Sequence, residues 1–189
     1  MTTLTSTNNL KHDIEQDITA WLVEYIEKNH KFYNYKFPPC PYAKAARLAG
    51  LLDVSAYTDG STIDFIQNQV NELITNKKFN TRVLIFPPHY KWNYYLHWRV
   101  RQLNIKILKQ DFYLQYGQAV KTSSQYPGIC KNKPYFIVIV NKLSDVLDAH
   151  ESLLKTNYYS SWSKKHYHNV VIRRQQMVKK IKGNNNELD

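Results

Sequence analysis

The sequence predicts an α/β (or α+β) fold, a single mixed sheet covered by helices, with an N-terminal amphipathic helix and a basic C-terminal helix. Three observations carry that expectation. Two short, continuously apolar runs, "RVLIF" at 82 to 86 and "YFIVIV" at 135 to 140, have the length and composition of buried strands. Apolar residues at helical spacing recur before, between and after them. Turn signals such as "TDG" and the Pro87-Pro88 pair separate the segments. Neither an internal repeat nor a linker interrupts the chain, so residues 10 to 182 read as one domain, with polar ends at 1 to 9 and 183 to 189 expected to be disordered.

Along the chain, Ile14, Ile18, Trp21, Leu22, Tyr25 and Ile26 form one apolar stripe, which predicts an amphipathic helix ending near Asn29. The stretch "KFYNYKFPP" is expected to run extended into a second helix, with Pro41 at its first position, where a missing N–H costs nothing. "LLDVSAYT" has strand character. Ser61 followed by Asp64 resembles a capping box for the next helix, whose buried stripe is Ile63, Ile66, Val70, Leu73 and Ile74. After "RVLIF", a helix is expected over about 91 to 103, followed by the hairpin-like strands "IKIL" and "FYLQYGQAV". The last strand is "YFIVIV", and Ser144 is the expected cap of a helix that turns Val146, Leu147, Leu153 and Leu154 inward.

Composition narrows the function classes. Two cysteines, Cys40 and Cys130, form no C-x-x-C pair, which argues against a disulfide framework and for a reducing compartment. No apolar run approaches the roughly 18 residues of a membrane-spanning helix, and the polar start "MTTLTSTNN" lacks a signal core. A soluble cytoplasmic protein is the expectation. The net charge is +11, and much of the excess lies in 155 to 182, where Lys155, Lys164, Lys165, Arg173, Arg174, Lys179, Lys180 and Lys182 meet no acidic residue. Such a field attracts nucleic acid, phosphate-bearing ligands or an acidic protein, or it serves solubility alone.

The helix "YKWNYYLHWRVRQL" offers a second surface. Trp92, Leu96, Val100 and Leu103 share one face, the core face. Lys91, Tyr94, Trp98 and Arg101 share the opposite one. Large aromatics beside cations can stack on bases while the cations hold phosphate, or can anchor a protein interface; a helix buried on both sides is the plainer alternative.

Cys40 in "FPPCPYAKAARLAG" stands at the head of an expected helix, where unpaired N–H groups and the nearby Lys36 and Lys44 would stabilise a thiolate. A small buried hydrophobe is the other reading. His89, where a strand gives way to a helix, is the candidate base for an enzyme built on Cys40. The histidines lack metal-ligand spacing, and no Gly-rich phosphate loop occurs, so no cofactor or metal is identified.

"CPY" resembles the start of a glutaredoxin active site, but position 43 is Ala and the motif follows a helix rather than a first strand. Over the whole chain, Trp21, "CPYAKA" at 40 to 45, "RVLIFPPHY" at 82 to 90 and "NKPYFIVIVNKLSDVLDA" at 132 to 149 are similar in order and spacing to an uncharacterised bacterial domain-of-unknown-function family with a Cys-Pro-Phe-Ala motif near the N-terminus. That resemblance implies one domain and directs interest to Cys40. The family's Phe-His-Pro stretch is replaced here by "FYLQYGQAV" and its Asn-Tyr-Thr-Asn-Arg run by "YPGICKNK", so the chain resembles a divergent member. The reading is a small basic binding or accessory protein for an anionic partner, a nucleic acid, nucleotide or acidic protein. The alternatives are an enzyme using Cys40 with His89, or a protein-protein adaptor.

Overall fold

Four strands form one mixed sheet in the order β1-β2-β4-β3. The structure is a computed structural model that describes residues 3–87, 94–118 and 135–185, with side chains at 9–87, 94–116 and 135–179. Strand β1 (Leu52–Ala56) runs parallel to β2 (Thr81–Phe86), and β4 (Phe136–Lys142) runs antiparallel to both β2 and the edge strand β3 (Phe112–Gln118). The parallel pair is joined by α3 (Thr62–Asn76), as a parallel connection requires. The remaining long helices are α1 (Thr3–Trp21), α4 (Tyr94–Leu108), α5 (Leu143–Leu154) and α7 (Arg173–Asn185), with short α2 (Ala43–Leu48) and α6 (Lys164–Tyr167).

The register assigns each apolar strand residue to a face. Leu84, Phe86, Val138, Val140 and Leu114 lie on one side, against Ile66, Val70 and Leu73 of α3 and Val100, Leu103 and Ile107 of α4. Val83, Ile85 and Ile137 lie on the other, against Ile14, Ile18 and Leu22 of the N-terminal helical segment. Because both faces are covered, β2 and β4 read as unbroken apolar runs rather than alternating ones.

Several elements differ from the sequence expectation. Helix α1 begins at Thr3, so the stretch expected to be disordered carries its first turns. Likewise α7 continues to Asn185, into the segment read as a tail. "KFYNYKF" is not extended: Lys31–Tyr33 make a 3₁₀ turn and Asn34 and Tyr35 take left-handed backbone angles. Pro41 precedes α2 rather than opening it. "IKIL" belongs to α4, because Ile107 continues the stripe of Val100, Leu103 and Asn104 at helical spacing. Helix α5 is capped not by Ser144 but by Asp111, whose carboxylate accepts from Ser144 N at 2.9 Å and Ser144 Oγ at 2.7 Å. Leu154 points outward and is exposed, while Leu143 and His150 are the buried residues of that helix. The Ser61 cap of α3 is present, its hydroxyl accepting from Asp64 N.

Candidate functional site

The C-terminal segment is docked by an aromatic cluster. Tyr33 stacks on Tyr158 at 4.7 Å between centroids, and Trp162 packs edge-on to Tyr159 at 5.0 Å while its Nε1 donates to Tyr33 Oη at 3.1 Å. These contacts hold the π-helical turn His168–Ile172 and α7 against the sheet, where Val171 is buried. The basic segment is therefore a packed helix and not a free arm.

Between α2, α5, α7 and the sheet lies a cleft of about 1900 Å³, roughly twice an ordinary small-molecule site. Its floor includes Ile139 of β4, which packs against the Ile14, Ile18 and Leu22 cluster and is half-buried. Arg101, Lys109, Lys142, Arg173 and Arg174 line it against two carboxylates, Asp145 and Asp148.

Three positively charged positions expected in two separate patches meet here. Arg101 of α4 and Arg173 of α7 both act on the hydroxyl of Tyr116 on edge strand β3, each opposing the upward push that burial gives it. That hydroxyl also lies 2.8 Å from His97 Nδ1. Arg174 is a correction to the surface patch. It is 4% exposed, turned inward in the stripe Tyr167, Val171, Arg174 and Val178, while Arg173 and Lys179 remain at the surface. Burial lowers the affinity of its guanidinium for the proton, with the oxygens of Tyr113, Tyr159 and Tyr167 opposing that effect. Beside it, burial and then the Arg174 cation hold His150 below the ordinary histidine value. His150 Nδ1 is 2.9 Å from Tyr159 Oη, whose pKa is pushed up to about 12 by burial, with Arg174 opposing. His97, Tyr116, His150 and Tyr159 were not singled out from sequence as site residues; only the β3 edge and the packing of α7 bring them to the cleft.

The outer face of α4 follows the sequence reading where it is described. Leu96, Val100 and Leu103 are buried, whereas Tyr94 is 85% exposed, Trp98 46% exposed, and Tyr95 and Arg101 are also exposed. Tyr95 and Trp98 rings stand 6.2 Å apart, and the Arg99 guanidinium lies 6.0 Å from the Tyr95 centroid. No Asp or Glu occurs in the helix. His89, Lys91 and Trp92 lie outside the described residues, as do Cys130 and the side chain of Lys180.

Cys40 has accessible surface that opens into the cleft. Its thiol does not follow the helix-terminus expectation. Burial raises its pKa from the ordinary 9.0, hydrogen bonds from Tyr42 and Ala43 N–H pull the other way, and the Glu27 carboxylate adds to the rise. Helix α2 starts three residues later and is only six residues long, too short for much of a dipole. In a Cys130→Ala background, iodoacetamide is accordingly expected to alkylate Cys40 more slowly than free cysteine at neutral pH, with the rate climbing as the pH passes 9.0. Labelling faster than free cysteine at pH 7 would contradict this environment.

Neither family models, curated proteins nor solved structures match this chain. Among the described residues no three His, Cys, Asp or Glu side chains group as a metal site, and no helix is long and apolar enough to cross a membrane.

Proposed function

We propose that the chain is a binding protein for single-stranded nucleic acid, with the outer face of α4 as its stacking platform. The observation that carries this reading is the solvent-facing row Tyr94, Tyr95 and Trp98 on a helix that bears Arg99, Arg101 and Lys106 and no carboxylate. Leaving large rings in water on a helix whose opposite face already fills the core gains nothing for folding. Every base offers a π-face to such rings, and cations between them meet the phosphates. Arg173, reaching Tyr116 from α7, extends the positive surface past the β3 edge.

The test is fluorescence anisotropy with a fluorescein-labelled oligothymidylate. Affinity is expected to fall steeply between about 50 and about 200 mM salt. Trp98→Ala is expected to weaken binding about tenfold, in line with about 1–3 kcal/mol per stacked base. Arg101→Ala should flatten the salt dependence by about one phosphate contact. Absence of binding at low salt, or affinity indifferent to both salt and Trp98, would overturn the reading and leave the same face to a protein partner.

A further inference from the structure

We infer that the cleft floor is a binding site for a small organic anion with an apolar body and a single oxyanion head, a carboxylate or a phosphate monoester, received by Arg174. This site does not depend on the α4 face, and its test involves no nucleic acid.

Among the described residues, three buried side-chain nitrogens have no aligned hydrogen-bond acceptor: Trp21 Nε1, Arg82 Nε and Arg174 Nε. Arg82 is accounted for, since its Nε lies 2.8 Å from Asp53 Oδ2. The other two both belong to residues that line the cleft. Among the described residues no carboxylate pairs with Arg174. Asp145, on the rim, is already engaged by Asn80 at 2.7 Å and Lys142 at 3.8 Å, and Asp148 is exposed. A guanidinium stays charged at neutral pH, and a buried charge without a counter-ion is among the costliest features a fold can carry. Such a group is retained where something else supplies the anion, and its planar fork fits two oxygens of one carboxylate or phosphate.

The surroundings describe the rest of the ligand. Val83, Ile137 and Ile139 of the sheet, Val146 and Leu153 of α5 and Met177 of α7 line the same space. These walls offer a hydrocarbon or aromatic body nothing to hydrogen-bond with and much to pack against. Tyr113 and Tyr159 line the same space and act electrostatically on the guanidinium, and a phenol hydroxyl can donate to an anion's remaining lone pairs. An anion placed there would also relieve the field that Arg174 exerts on His150.

The probe is 1-anilinonaphthalene-8-sulfonate, whose rings and single anionic head match this description, titrated into the full chain and displaced by decanoate, decyl phosphate or decanol. Saturable binding is expected, with at least one of the two anions displacing the probe at about tenfold lower concentration than decanol. The better of them names the head group as carboxylate or phosphate. Arg174→Met is expected to remove that preference for anions while decanol still competes. Because methionine replaces an unpaired buried charge, the ligand-free variant should melt no lower than wild type. Should Arg174→Met not fold, Arg174→Lys, which keeps the charge but not the fork, is expected to lose about tenfold toward the preferred anion. Equal displacement by decanol and both anions, or unchanged anion preference in the Arg174 variant that folds, would overturn the proposal.

Discussion

Asn104→Leu is expected to lower the unfolding free energy by about 2–4 kcal/mol, because it orphans two buried backbone groups at once. Strand β3 is the edge of the sheet, and Leu114 faces away from β4 with both its N–H and its C=O free of the ladder. The Asn104 side chain, 5% exposed, closes that edge: Leu114 N donates to its Oδ1 at 3.0 Å and its Nδ2 donates to Leu114 O at 3.1 Å. One amide thus stands in for a fifth strand, which also blocks edge-to-edge association. Leucine fills the volume and satisfies neither group. Urea unfolding should give a lower midpoint with an unchanged slope, whereas Ile105→Ala, one residue on and exposed, should stay within about 0.5 kcal/mol of wild type. A midpoint for Asn104→Leu as high as that of Ile105→Ala would mean that the β3 edge has other partners. Since Asn104 sits less than two turns from Trp98 on the same helix, the contact also fixes where the stacking face stands relative to Arg173.

Periodicity carried the reading wherever one kind of side chain faced one kind of neighbour. The stripe of α3, the apolar runs of β2 and β4 and the inner face of α4 as far as Leu103 are legible because burial there involves only apolar residues. Failures cluster where a polar residue occupies a core position. Asn104 breaks the α4 stripe in composition but not in geometry, so "IKIL" looked like a separate strand although Ile107 continues the helix. Arg174 sits within an inward stripe, Tyr167, Val171 and Val178, yet beside Arg173 it reads as one more solvated cation. The helical spacing of its neighbours was the available signal. The meeting of Arg101 with Arg173, and the cleft itself, depend on β3 pairing with β4 and on α7 packing behind it, which are long-range facts with no local trace.

Arg82→Met is expected to destabilise the protein by about 3 kcal/mol, the low end for breaking a buried ion pair from one side. Arg82 lies in the middle of the sheet, 3% exposed, on the face covered by α3. Its Nε is 2.8 Å from Asp53 Oδ2 on the neighbouring strand, its register partner, and its Nη1 is 3.0 Å from Glu72 Oε2 and 3.1 Å from Gln69 O on α3. One guanidinium therefore ties β1, β2 and α3 together. Methionine keeps the stem's packing but leaves two carboxylates beside each other without a cation, and the partial exposure of Asp53 and Glu72 softens that penalty toward the low end. If the loss arises from the stranded carboxylates, adding Asp53→Leu to Arg82→Met should return part of it, giving a double-variant loss smaller than the sum of the singles. If the two losses simply add, the guanidinium acts through packing and its bond to Gln69 O, and the charge network contributes little. Either result leaves the cleft on the opposite face intact, so anion binding through Arg174 should persist in the folded fraction of both variants.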